Sequence, residues 1–365
     1  MNLAWLIIFV VSFIYCQSYF FLKFGFKGLT YERTFNKQTA FPNEKIEIID
    51  EITNKKILPL PWVSVEAKLS KYLVSVIDER IPDEDPFHQT LFSLLPYQRI
   101  KRRHHMIVKK RGVYQLASVA LTLGDMFGFS DHYQSHETAA RLVVYPMLMR
   151  KSDLPEDVQF FLGEHAVNRW IIEDPFLKIG TRDYVEGDGS HKINWKQTAK
   201  RQVLQVNEHD HTRERDLTIL LNIDQADDIW LPIEDDDLFE NSLSVIASVF
   251  YDLKLQGAPF RFLTNAVTKD KRDPAINDFV SVEKGQGHRH YIEGLTKLSY
   301  LIPERKHHFK YVLENVAKEP GIGETYVIFT PIVTPILKVQ VDQLKKQGKR
   351  ISIIPLRKKK VMHNA

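Results

Sequence analysis

A chain that changes its hydrophobic period part-way along cannot fold as one uniform architecture. From about Tyr31 to Tyr145, apolar residues recur in short alternating runs broken by turn residues, as in EKIEIIDEITN, WVSVEAKL, RGVYQLASVALTL and ARLVVYP. Side chains two apart share one face of a strand, so this pattern predicts half-buried strands in an antiparallel β-sandwich. At Asp216 the pattern becomes DLTILLNID, a continuous apolar run of the kind buried on both faces of a sheet. Beyond it, the runs NSLSVIASVFYDLKLQG, HYIEGLTKLSYLI, FKYVLENVAKE and ILKVQVDQLKKQG at helical spacing alternate with the short strands FRFLT, TYVIFT and RISIIPL. That alternation predicts a mainly parallel, Rossmann-like sheet with helices on both faces. Asp237 with Glu240 predicts the start of the first of these helices, and Gly257 its stop.

Ahead of both patterns, the segment from Met1 to Leu22 has no charged side chain. About 20 helical residues at 1.5 Å each cross the roughly 30 Å hydrocarbon layer, so a membrane helix over residues 1–23 is expected. Trp5 and the group Tyr15, Tyr19, Phe20 and Phe21 suit the two interfaces. A cleavable signal peptide is the rival reading, but the charged start and the small-residue cleavage site are missing. Lys23, Lys27 and Arg33 follow the segment and nothing basic precedes it, which predicts a single-pass protein with its bulk in the cytoplasm.

The 365 residues, 44% apolar and 26% charged, have the composition of folded protein and the length of two domains. One cysteine, Cys16, excludes an internal disulfide framework and a four-thiolate zinc site, and its place in the apolar segment argues against a cysteine nucleophile. No Gly-x-x-x-x-Gly-Lys-Ser/Thr loop occurs, so ATP hydrolysis would belong to a partner. The net charge of +4 is small, but Arg99 to Gly112 (RIKRRHHMIVKKRG) holds seven lysines and arginines and no acid. Arg99, Lys101, Arg102, Arg103, Lys109 and Lys110 therefore predict contact with anionic lipid heads or an acidic protein, a solvated strand face being the plain alternative. Nucleic acid is not expected, because no stacking aromatics interleave with these charges.

The stretch GTRDYVEGDGSHKINWKQTAKRQVLQVNEHD, from Gly180 to Asp210, packs acid, base, aromatic and glycine together. Its order resembles the signature of the bacterial family known as domain of unknown function 58: Arg-x-Tyr-x-x-Gly-Asp, then Ile-x-Trp, then Ser-Ala-Arg. Arg182, Tyr184, Gly187, Asp188, Ile193, Trp195 and Ala199 match, while Thr198 and Lys200 replace the serine and arginine. RGVYQL, GDMFGF (Gly124 to Phe129) and VVYP (Val143 to Pro146) are further similar features. The resemblance implies a membrane-anchored β-sandwich followed by a von Willebrand A-like α/β domain, commonly associated with a MoxR-type AAA+ ATPase and with no established enzymatic reaction. Many members have two membrane helices near the start, whereas this chain shows one.

Arg182, Asp188, Lys192 and Lys200 admit an acid–base reading, but no nucleophile with its own base accompanies them. The simpler expectation is a brace and docking surface in which Gly187 frees the backbone, Asp188 pairs with Arg182, and Trp195 packs as a hydrophobic plug. In the implied von Willebrand A domain, the first buried strand ends in Asp-x-Ser-x-Ser around a divalent cation. Here Asp224 is retained, but Ala226 and Asp228 replace the hydroxyls, and Thr330 and Pro331 stand where a later aspartate is expected. Ala226 supplies no oxygen, so no cofactor is expected; Asp224 and Asp228, with Thr330, are the candidate ligands if a divalent cation is held after all. His209 and His211 share a strand face, yet a catalytic zinc needs a third ligand.

These readings divide the chain into a membrane helix (1–23), a sandwich (29–150), a connector carrying the signature (151–215), an α/β domain (216–357) and a basic tail (358–365). They predict a non-enzymatic, membrane-tethered interaction protein working with a MoxR-type AAA+ ATPase or an envelope-assembly complex. The alternative is a metal-dependent hydrolase of cell-envelope material, which requires Asp188, Asp224 and the histidine pair to converge.

Overall fold

The computed structural model describes residues 3–125, 131–168, 173–185, 193–211, 217–225, 235–269, 279–319 and 324–356. The chain divides into two compact units, Met1–Met147 and Leu148–Ala365, so the signature stretch belongs with the second.

The first unit opens with helix α1 (Leu3–Phe24), whose span Trp5–Phe24 is long and apolar enough to cross a membrane. Strands β1 (Leu29–Phe35), β2 (Thr39–Ala40), β3 (Lys45–Asn54), β4 (Leu60–Lys68), β5 (Leu73–Ser75), β6 (Phe87–Leu94), β7 (Arg99–Val108), β8 (Gly112–Gly124) and β9 (Asp131–Val144) follow. They form two sheets, β1-β3-β7-β5 and β2-β9-β8-β4-β6, antiparallel throughout except for the two-residue β2–β9 pair. Along β3 every second side chain is buried, as the alternation in the sequence requires. Tyr31 and Ile52 of one sheet meet Leu60, Val63, Val65, Phe92 and Leu121 of the other in a common core. The expected sandwich is therefore present. The acidic stretch Asp78 to Pro86 is the largely exposed connection between β5 and β6.

In the second unit a short 3₁₀ turn (Lys151–Asp153) and α2 (Glu156–Asn168) precede β10 (Glu173–Asp183), α3 (Trp195–Arg201) and β11 (Gln205–His211). Then come β12 (Leu217–Leu221), α4 (Asp236–Gln256), β13 (Phe260–Thr264), β14 (Ala266–Thr268), β15 (Val280–Gly285), α5 (Gly287–Tyr300), β16 (Leu301–Arg305), α6 (Phe309–Lys318), β17 (Thr325–Thr330), α7 (Pro335–Lys346) and β18 (Arg350–Pro355). Among the described residues the main sheet runs β15-β13-β12-β17-β18. Its neighbours are parallel except for the edge strand β15, which is antiparallel to β13. Every residue of β12 is buried, because α6 and α7 cover one face while α4 covers the other. On the α4 side, Phe250 stacks on Phe260 with ring centroids 4.5 Å apart. Gly294 of α5 admits that ring, since a Cβ there would lie 2.9 Å from it.

Local chemistry sets the helix ends. Asp235, two residues ahead of the expected cap, accepts a hydrogen bond from the Leu238 amide at 3.0 Å. Gly257 takes φ +63 and ends α4 where the sequence placed the stop. The run HYIEGLTKLSYLI departs from expectation at its end: Leu301 and Ile302 leave the helix and pair with β14. Both are β-compatible apolar residues, and the strand partner is distant in sequence, so helical spacing alone runs past the boundary.

Candidate functional site

Three neighbouring strands, β13, β12 and β17, end side by side, and their C-terminal residues converge. In an open α/β sheet of this order the crevice beyond the carboxyl ends, where the chain order reverses between β12 and β17, is the usual ligand position. Asn222 donates to the Thr330 hydroxyl at 3.1 Å and accepts from the Asp224 amide at 2.8 Å. Asn265 accepts from the Ile223 amide at 3.1 Å and donates to Asp224 Oδ1 at 2.7 Å. Arg305 Nη1 donates to the same oxygen at 2.9 Å, and the Phe309 amide at the start of α6 donates to Asp224 Oδ2 at 2.8 Å. His308 Nδ1 lies 3.7 Å from that second oxygen.

The Asp224 carboxylate is thus engaged by a guanidinium, an amide and a helix N-terminus, a constellation suited to holding a negative charge. A positive side chain stands where a divalent cation would need an open oxygen. This arrangement favours fixing the loop after β12 over proton transfer or metal ligation by Asp224. Ala226 and Asp228 lie outside the described residues. Among the described residues no three His, Cys, Asp or Glu side chains group as a metal site. His209 lies opposite Lys178 and His211 opposite Glu173 on the β10–β11 pair. Sequence reading singled out Asp224 and Thr330; Asn265 and Arg305 carried no local signal, since each reaches the site from another strand end.

The signature stretch folds as the β10–β11 hairpin with α3 laid between its strands in sequence. Asp183 pairs with Gln205 in register, the Tyr184 amide donates to Leu204 O at 2.9 Å, and Ile193 bridges Val206. Asn194 caps α3 by accepting from the Gln197 amide at 3.1 Å. Thr198, in the place of the family serine, accepts from the Gln205 amide at 3.0 Å and so keeps the hydroxyl in use. Gln205 also donates to the Asp183 carboxylate. Gly187, Asp188 and Lys192 lie outside the described residues, so the expected Asp188–Arg182 pair does too.

Trp195 corrects an expectation: it is 69% exposed and plugs nothing. It opens a seven-residue helix that buries no side chain of its own, so among the described residues nothing covers the ring. Tyr184, Val185, Val203 and Leu204 are exposed as well, and so are Arg182, Lys196, Lys200 and Arg201.

The basic run of β7 has another setting. Its odd-numbered side chains face the acids of β3, Lys101 opposite Glu51 and His105 opposite Glu47. Arg99 lies 2.5 Å from Glu51, Lys101 3.9 Å from Glu51, Arg103 3.9 Å from Glu47, and Lys109 2.7 Å from Glu79. Arg102 stands over the Phe92 ring and donates to Leu91 O, while Lys110 stands over Tyr72. From Arg99 to His105 the run is a cross-strand charge ladder, and its partners Glu47 and Glu51 were legible as the alternating acids of KIEIIDEITN.

Beneath that ladder lies a buried network that sequence reading missed. Arg33 grips Asp50 through Nε at 2.5 Å and Nη2 at 2.8 Å, with both side chains fully buried. The Tyr31 hydroxyl donates to Asp50 at 2.6 Å, and His104 Nε2 lies 3.1 Å from it. Burial alone would raise the Asp50 carboxyl; hydrogen bonds from Arg33 and His104 and the charge of Arg33 outweigh it and hold the group below the ordinary carboxylate range. Burial, then the charges of His104 and Arg33, hold the His88 imidazole down to about 4.

No family model and no curated protein matches the chain. Solved structures to which parts of it are similar include the CARDB domain of a Pyrococcus furiosus protein, at 12% identity over 32% of this chain and 93% of that one, with TM-score 0.20. The sporulation control protein Spo0M of Bacillus subtilis is similar at 13% identity over 43% of this chain and 58% of that one, with TM-score 0.19. A chain of a type I cohesin–dockerin complex of Clostridium thermocellum is similar at 13% over 32% and 99%, with TM-score 0.21. Scores of this size carry no argument about what this chain does.

Proposed function

We propose that this chain is a single-pass, membrane-tethered interaction protein resembling the domain of unknown function 58 family, with everything beyond α1 in the cytoplasm and its second unit von Willebrand A-like. Its partner is a MoxR-type AAA+ ATPase or an envelope-assembly complex, docked on the signature hairpin. One observation carries this reading: the most motif-rich stretch of the chain presents Trp195, Tyr184 and Leu204 to solvent, and Arg182, Lys196 and Lys200 of the same stretch are exposed as well. Aromatic and arginine side chains supply most of the binding energy at protein interfaces, and exposed large apolar side chains with charged neighbours in sequence are what such surfaces are built from. The exposed cations call for an acidic partner surface. The engaged Asp224 carboxylate supports a recognition role over the hydrolase alternative.

The test is affinity capture from membranes in mild detergent, with wild type and Trp195→Ala side by side. Wild type is expected to retain an AAA+ ATPase or envelope protein. Trp195→Ala should lose it by about tenfold or more, the effect of removing an aromatic anchor, while folding stability changes by less than about 0.5 kcal/mol, as at an ordinary surface position. Equal capture by the two proteins, or no such partner with wild type, overturns the proposal.

A further inference from the structure

The junction between α1 and the sandwich is a packed joint. Phe21, on the last turns of the helix, is buried in the sandwich core with Leu60, Leu94 and Leu123. Gly25 permits the sharp exit: a Cβ there would fall 2.4 Å from Phe21 O and 3.2 Å from Leu123. Lys56 reaches back from the β3–β4 loop to donate to Gly25 O and Lys27 O, closing carbonyls that a helix end leaves open. The Lys55 amide donates to Gly28 O at 2.7 Å. Wherever α1 goes, this end of the sandwich goes with it.

Two loops stand at that end and are tied to each other. Asn54 Nδ2 donates to Leu58 O at 2.9 Å and to Leu95 O at 3.0 Å, and the Tyr97 amide donates to Lys56 O at 3.2 Å. Their tips are apolar and turned outward, with Ile57 77% exposed, Leu95 65% and Tyr97 71%. Tyr97 holds φ +53, a conformation a non-glycine residue adopts at a cost, and strain of this kind collects where a side chain serves a contact. Residues 22–31 and 53–59 contain Lys23, Lys27, Lys55 and Lys56 and no acid, while Arg99, at the end of the second loop, is paired with Glu51.

We propose that Ile57, Leu95 and Tyr97 form an interfacial foot, set into the headgroup layer of the leaflet from which α1 emerges, with Lys27 and Lys55 against anionic lipid heads. The inference rests on the reading of α1 as a membrane span and adds the face and depth at which the sandwich sits. The joint places the tips within a few residues of the end of the span at Phe24. Apolar tips gain by entering the headgroup–acyl boundary, an aromatic ring with a polar end suits that depth, and lysines beside a negative surface are attracted to it. The basic ladder of β7 is a separate feature: it runs from Arg99, beside the foot, along the strand away from it, with Arg99, Lys101, Arg103 and Lys109 set against Glu51, Glu47 and Glu79.

The experiment uses the full chain in vesicles of mixed phosphatidylethanolamine and phosphatidylglycerol, with Cys16→Ser as background. Single substitutions Ile57→Cys, Leu95→Cys, Tyr97→Cys, Val10→Cys and Ile77→Cys carry a bimane label, with spin-labelled lipids as shallow and deep quenchers. Ile77, 97% exposed beyond β5 where the sheet pairs with the other end of β7, is the aqueous control. Labels at Ile57, Leu95 and Tyr97 should be quenched by shallow lipids at least about twofold more than at Ile77, the mark of interfacial depth. Quenching at all three equal to that at Ile77, with Val10 quenched by deep lipids, overturns the foot and leaves the span intact. If Val10 too escapes deep quenching, the membrane reading itself falls. Since the reporters sit at exposed positions, a labelled variant that misfolds is recognised by loss of the wild-type circular dichroism and replaced by the exposed neighbour Pro96→Cys.

Discussion

Each unit of this protein contains a carboxylate bonded to a buried arginine, and the two pairs have opposite settings. Asp50 lies mid-strand in β3, between two sheets, and receives Arg33, Tyr31 and His104 in a space closed to solvent. Asp224 lies just past the end of β12, at the open carboxyl edge of a parallel sheet, and receives Arg305, Asn265 and the first amide of α6. A buried ion pair mid-strand ties neighbouring strands of one sheet together inside the sandwich, whereas the same chemistry at a strand end fixes a loop in the place where α/β sheets bind ligands. The pair alone does not tell the roles apart; its position on the strand does.

Breaking each pair in turn tests that contrast. Asp50→Ala leaves Arg33 charged, buried and unmatched, and should cost about 3 to 5 kcal/mol. Hydrogen exchange of β1 and β3 peptides in the full chain reads the loss directly. Replacing both partners with apolar residues, Arg33→Met with Asp50→Leu, should restore most of it, because the cost lies in the orphaned charge. Asp224→Ala sits nearer solvent and should cost less, about 2 to 3 kcal/mol, from lost charge-assisted bonds. Its signature is faster exchange in the peptides holding β12 and the start of α6, with β1 and β3 unchanged. A larger loss at Asp224 than at Asp50 would undo the comparison.

Acid should reach the sandwich in two stages of smaller size. His88 takes up a proton only near pH 4 when folded but near its ordinary 6.5 when unfolded. The unfolded state therefore binds more protons between those values, so stability is full above about pH 6.5 and declines as pH falls toward 4, by roughly 1 kcal/mol or more. The Asp50 carboxyl is depressed in the fold, so its contribution is full above the ordinary carboxylate range and is lost only at lower pH still. A denaturation midpoint for the sandwich that stays level from pH 7 to pH 4.5 would contradict the first stage.

The smallest expected effect is none. Millimolar magnesium or manganese should leave the melting temperature unchanged, since a folded-state cation site would raise it by RT ln(1 + [L]/Kd) and Asp224 already spends its oxygens on protein donors. A rise of several degrees that Asp224→Ala abolishes would turn the edge into a working cation site and make cation-bridged capture the better mechanism.

Much of the architecture was legible from the sequence, and the site only in part. The alternating runs before Tyr145 became sandwich strands, the continuous run at Leu217 became a strand buried on both faces, and Gly257 ended its helix. Asp224 and Thr330 could be picked out by resemblance, while Arg305, 81 residues from Asp224, could not. The basic run of β7 was legible as a charged strand face, while the placing of Glu47 and Glu51 across from it was decided by register. Trp195 read as a buried plug until α3 proved too short and too exposed to bury it.

The sequence by itself determined which segments are strands or helices, where several of them stop, and that the chain begins with an apolar helix. Those properties follow from backbone geometry over a few residues: a period of 2 or 3.6, a left-handed glycine, about 20 uncharged positions. Tertiary structure alone decided which charges neutralise each other, which aromatic rings stay in water, and which loop tips meet the end of the helix. Those depend on register and packing between segments far apart in the chain, and a single residue of slip would turn every side chain of a strand to the other face.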